Sequence, residues 1–199
     1  MHPRHRLVLV PAALVALVLV LVACGDTGAP VVSFDPTGAC TADGQQPGAY
    51  PELEALLPTE FEGAGPTNVD SGRTCTPDAL GSLADAGITE LRFAGATWET
   101  GGAAGWTLAA FTAEGLTPAV MRDFYEVGAR TARRAEKVAV SDSTVASLPA
   151  KRLDVLMSDG TGQTVVAWQP ANDGPVWVLL AADVGDTKVA SLLEAFGSR

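Results

Sequence analysis

The sequence predicts an α+β fold: one domain built on an antiparallel β-sheet with helices packed against it, preceded by a signal segment and a flexible tether. Three observations carry this. Thr76-Pro77 and Thr117-Pro118 are helix starts of one design, and each leads into an apolar stripe at helical period. Asp159-Gly160 and Asn172-Asp173-Gly174 separate three β-rich runs, which is the turn chemistry of a meander. The last run, residues 176–182, is apolar at every position, as expected of a central strand covered on both faces.

The elements follow in order. Residues 24–48 are rich in Gly, Pro, Ala and Asp, sustain no period, and predict a tether, with Cys40 tying its far end to a body over 49–199. "PELEALLP" predicts a short helical turn stopped by Pro58. A helix over 76–87 places Leu80 and Leu83 on one face and stops at Gly87. Residues 88–99 and 106–115 flank Gly101-Gly102 and predict a hairpin. A second helix begins at Pro118 with a stripe of Val120, Met121, Phe124 and Tyr125, and runs on through the basic residues to Lys137. "VAVSDSTVASLP" adds one or two strands before the meander, and a last helix near Asp186 presents Val189, Leu192, Leu193 and Phe196. No residue run of 20–50 repeats itself, so a solenoid is not expected.

The first 24 residues are an address. "MHPRHR" is basic and acid-free, and Leu7 to Ala23 contains no polar residue. Seventeen such residues sit at the short limit for a membrane span, and no positive stop-transfer flank follows, so the pattern reads as a secretory signal. The run ends in Leu21-Val22-Ala23-Cys24, which resembles the lipobox of bacterial lipoproteins. That resemblance implies cleavage between Ala23 and Cys24, a diacylglycerol on the Cys24 thiol, and a chain held by its acyl groups on the outer face of a cell membrane.

Loss of residues 1–23 changes the census. Arg4 and Arg6 leave and no acid does, so 13 basic residues become 11 and the net charge moves from −10 to −12. Such a surface repels phosphate backbones, and nucleic acid is not an expected partner. His2 and His5 leave as well, and they are the chain's 2 histidines. The mature chain then has no imidazole for a Ser-His-Asp or Cys-His system or for the usual zinc site. Cys40 and Cys75 remain as a pair in an oxidising compartment, which predicts a disulfide. The alternative is two free thiols, with no basic neighbour in sequence to activate either, and geometry decides between them.

The helix at 118–134, the three-strand meander, the strand begun by "LPAKRL" and the short last helix near "LLEAF" are together similar to the PsbP-like α/β/α sandwich of actinobacterial lipoproteins. The resemblance implies that fold and mostly non-catalytic roles; it carries no site residues.

Candidate chemistry is sparse. Glu52/Glu54, Glu60/Glu62 and Asp183/Asp186 are carboxylate pairs that could serve acid/base hydrolysis if a cleft held them about 5–10 Å apart. Acids beside helix ends and turns also serve capping and solubility. Asp183 and Asp186 lack the ligand density of a calcium loop, and "SDGTGQT" lacks the Lys-Ser/Thr ending of a phosphate loop, so neither metal nor cofactor is expected. Arg130, Arg133, Arg134 and Lys137 recur at helical spacing and predict one basic face, either a solvated helix end or a contact for an anionic ligand. Trp98 and Trp106 flank "ETGGAAG" and either fill the core or line a groove at the hairpin end. The leading expectation is a non-catalytic envelope module that binds a protein or other envelope component. A carboxylate-dependent envelope hydrolase and a carrier of a small apolar ligand are the alternatives.

Overall fold

The computed structural model describes residues 34–198; Cys24 and the signal segment lie outside them. The chain forms β1 (Gly44–Gln46), α1 (Pro51–Glu54), β2 (Asn68–Thr74), α2 (Pro77–Leu80), α3 (Ser82–Asp85), β3 (Leu91–Gly101) and β4 (Ala104–Thr112). It continues through α4 (Pro118–Thr131), β5 (Ala135–Val145), β6 (Leu148–Met157), β7 (Gly162–Trp168), β8 (Val176–Ala182) and α5 (Asp186–Phe196). The strands make one eight-stranded antiparallel sheet in the order β1-β2-β3-β4-β8-β7-β6-β5.

Alternation along the strands gives the sheet two apolar faces. Trp98, Leu108, Leu179 and Val166 point to one face and meet Leu53 of α1 and Val189, Leu192 and Phe196 of α5. Ala109, Val178, Val165 and Leu153 point to the other and meet Leu80, Leu83 and Met121 of α2, α3 and α4. The result is an α+β domain with a helical layer on each side of the sheet. β8 lies between β4 and β7 and is buried through Leu179, which accounts for its unbroken apolar sequence.

α4 begins as the sequence predicts: Pro118 occupies the first turn and the Thr117 hydroxyl accepts the Val120 N–H at 3.3 Å. Its end does not. The helix stops at Thr131, Ala132 is extended, and Ala135 already pairs with Met157 of β6. A strand partner outcompetes continued helix there, so Arg133, Arg134 and Lys137 leave the helix and the expected basic helical face does not form. The helix expected over 76–87 is also divided. Gly81 at φ +51° separates α2 from α3, while Gly87 at φ +87° ends the segment as expected.

Two strands were not foreseen. β2 contains Asp70, Ser71, Gly72 and Arg73, residues with little strand preference, and polar side-chain bonds hold it in place of apolar ones. β1 falls within the expected tether. Residues 34–48 are docked on β2, and the tether, as far as it is described, is part of the domain.

The β5–β6 turn puts Ala146 at φ +48° and Ser147 at φ +70°, a conformation that Asn-Gly adopts with far less strain. Replacing the pair by Asn-Gly is expected to stabilise the domain by about 1 kcal/mol, read as a higher urea midpoint at unchanged slope. Leu192→Ala, which empties a fully buried site under α5, is expected to cost about 3 kcal/mol.

Candidate functional site

The densest polar construction lies where the chain enters the sheet. Cys40 and Cys75 form a disulfide with a Cα–Cα distance of 5.4 Å. Beside it, Arg73 is 4% exposed. One of its terminal nitrogens donates to the carbonyl of Gly38 at 2.8 Å, and the other donates to the carbonyls of Asp35 and Ala39, both at 2.9 Å. Phe34 lies against the guanidinium, its ring centroid 5.8 Å away, and Glu90 approaches to 3.8 Å. The Asp43 carboxylate accepts the N–H groups of Cys75 at 2.6 Å and Thr76 at 2.9 Å, and the Thr76 hydroxyl at 2.5 Å. Burial alone would push Asp43 up, but these donors outweigh it and hold the carboxyl below the usual aspartate value.

The adjoining turn is built the same way. Ser71 is fully buried; its hydroxyl accepts the Tyr50 N–H at 2.7 Å and donates to the Glu54 carboxylate at 2.7 Å. Glu54 also accepts the Gly48 N–H at 2.7 Å. Of the expected carboxylate pair Glu52/Glu54, Glu54 is therefore a structural acceptor.

The other pairs are likewise engaged or divided. Glu62 pairs with Lys188 at 2.6 Å, and Lys188 lies 4.5 Å from the Phe61 ring centroid and 5.3 Å from that of Trp106. Glu60, its partner in sequence, is exposed. Asp186 accepts from Arg152 at 2.6 Å, while Asp183 is exposed at φ +51° where the chain passes from β8 into α5. Arg152 also forks onto Asp154, at 2.8 and 2.9 Å, and Thr164 donates to Asp154 at 2.8 Å. Burial works against Asp154 ionising, but Arg152 and Thr164 prevail and lower its pKa. Asp70 is the carboxyl pushed upward, by burial first, with Glu54 adding to it against a hydrogen bond from Asn68.

Trp98 and Trp106 are 3% and 7% exposed and stack at 6.1 Å beneath Phe61 and Phe196. They fill the core in place of lining a groove. Of the basic residues expected on one face, Arg130 pairs with Glu126 at 2.7 Å, Arg134 pairs with Asp159, and Arg133 and Lys137 are exposed.

Two concavities open at one end of the sheet. One of about 460 Å³ lies between the start of α4 and the 169–174 turn, lined by Leu116, Thr117, Gln169 and Asp173. The other, about 530 Å³, is lined by Gly87, Glu90, Arg92 and Glu114, and Thr112, Ala113 and Gly115 border both. Glu90 accepts from Arg92 at 2.7 Å as well as facing Arg73, so the second concavity abuts the Arg73 corner. Asp70 lines neither concavity. Among the described residues no group of His, Cys, Asp or Glu is arranged to hold a metal ion, and no helix is long and apolar enough to cross a membrane.

The sequence pointed to Cys40 and Cys75 by their number and compartment. It did not reveal Arg73 or Asp43; an Arg inside an otherwise unremarkable "SGRTC" was the available signal.

Arg73→Ala is expected to destabilise the domain by about 3 kcal/mol, since three carbonyls lose charged donors, and Arg73→Lys should recover little because an ammonium cannot fork. Asp43 has a lowered folded-state pKa, so its stabilisation is fully present above its unfolded value near 4 and is lost as pH falls through the folded value. Acid titration of stability should therefore show a step below about pH 4 that Asp43→Asn reduces. No known protein family, no curated protein and no solved structure matches this chain.

Proposed function

We propose that this chain is a lipoprotein anchored through Cys24 to the outer face of a cell membrane, and that its folded domain is a non-catalytic binding or accessory module of the cell envelope. The observation that carries the reading is Leu21-Val22-Ala23-Cys24 closing an apolar run and followed at once by "GDTGAP". The Cys40–Cys75 pairing supports it, because disulfides persist outside the cytoplasm. The helical layer on each side of the sheet supports placing the domain with the PsbP-like lipoprotein sandwiches.

Surface chemistry favours binding over hydrolysis. A carboxylate hydrolase needs an acid of raised pKa inside a cleft, and Asp70 has the raised pKa but no place in either concavity. The hydrogen-bonded Asp154 is held in its ionised form. An apolar carrier needs an emptied interior, whereas Trp168, Leu108 and Leu179 fill the space between sheet and helix. The two concavities and the loop between them, residues 113–117, are the surface we assign to the envelope partner.

Cys24→Ser is expected to abolish incorporation of labelled fatty acid and to move the chain from the membrane fraction to the soluble fraction. Retention of both label and membrane association by the variant would refute the anchor.

A further inference from the structure

We infer that the Cys40–Cys75 disulfide is a redox latch, and that its reduction by a dithiol frees residues 34–46 as a strap and uncovers the outer edge of β2. The inference does not depend on the lipid anchor.

The strap has a narrow footing. Apart from β1, its polar attachments to the sheet converge on the end of β2 and the turn into α2. Arg73 takes three strap carbonyls, Cys75 carries the disulfide, and Asp43 receives Cys75 and Thr76. β1 contributes a ladder of 3 residues, too short to persist alone. Phe34 is the strap side chain packed against the apolar core, and it is only partly buried; the core otherwise begins at Ala49. The Arg73 hydrogen bonds hold the strap by a free energy that water replaces only in part, and the disulfide adds a covalent restraint that bars the strap from leaving while it stands. Both cysteines are half-buried, within reach of a reductant in solution.

The chemistry balances with a dithiol as co-reactant. Its thiolate attacks one sulfur of the cystine, the S–S bond breaks, and the other cysteine leaves as a thiolate and takes a proton. The second thiol of the reductant then closes on the mixed disulfide and releases the first cysteine. Two electrons pass to Cys40 and Cys75, and the dithiol becomes a cyclic disulfide.

Opening changes the surface in a defined way. Ser71, Gly72 and Arg73 of β2 lose their ladder partners and become a free strand edge, and the Arg73 donors lose the carbonyls that satisfy them. The two apolar clusters, which draw on α1, α5, α2, α3 and α4, keep their members apart from the Phe34 contact. With the core from Ala49 onward still folded, the link closes only the short segment after Cys40 and can bias such an opening by up to about 80-fold on the chain-entropy model.

Hydrogen exchange of the full-length chain in detergent, with and without dithiothreitol, tests the latch. Reduction is expected to speed exchange at 44–46 and along the β2 edge at least tenfold while leaving β4 and β8 unchanged. Cys40→Ser/Cys75→Ser should reproduce that pattern without reductant. Unchanged protection at 44–46 and β2 after verified reduction overturns the latch, as does an equal loss across the whole sheet, which would make the disulfide a general staple. Should the double variant not fold, the reduced wild-type chain decides between the same outcomes.

Discussion

A buried guanidinium organises the first third of this domain. Arg73 sits in a strand whose other residues offer little apolar surface, and its charge is tolerable because carbonyls of the preceding segment surround it. That requirement works in both directions. The segment is ordered because Arg73 needs acceptors, and β2 can join the sheet because the segment supplies them. The disulfide and Asp43 then fix the same junction from the other side. Glu90, facing both Arg73 and Arg92, extends this polar corner to the rim of a concavity.

The remainder of the sheet is held by a different principle. From β3 across to β6, alternation delivers large apolar side chains to both faces, and the helices cover them. Four tryptophans, Trp98, Trp106, Trp168 and Trp177, share one of those faces in two stacked pairs. Aromatic area of this size gives a thin α5 layer enough to bury. The domain thus joins an apolar sheet to a polar margin.

Legibility followed that division. The Thr-Pro helix starts, the Gly101-Gly102 hairpin and the Asp-Gly turn lie where local chemistry is strong, and the starts of the helices and the strands beside those turns stand where the sequence placed them. The turn at Ala146-Ser147 carries no glycine or asparagine, so the sequence left open whether one strand or two precede the meander, although "LPAKRL" marked the start of β6. The end of α4 was hidden because Arg133 to Lys137 suits a helix well; only the distant partner strand β6 draws it into β5. β2 and β1 were illegible for a deeper reason. Their placement depends on bonds such as Arg73 to Gly38, made between residues far apart in the chain, and no local period encodes them. The candidate site shared this fate: the cysteine pair could be counted, while the acceptors grouped around it could not.

The sheet ends on its far side in β5, an edge of 11 residues whose described pairing is with β6 alone. Strands of that length on crowded surfaces invite copies of the same molecule to add on, side by side, into fibres. Here the ladder is interrupted between Ala135 and Lys137, and Glu136, Lys137 and Asp142 project charge along it. Three ionic side chains and one irregularity therefore guard this edge, and a neutral, regular β5 would make the domain more prone to polymerise.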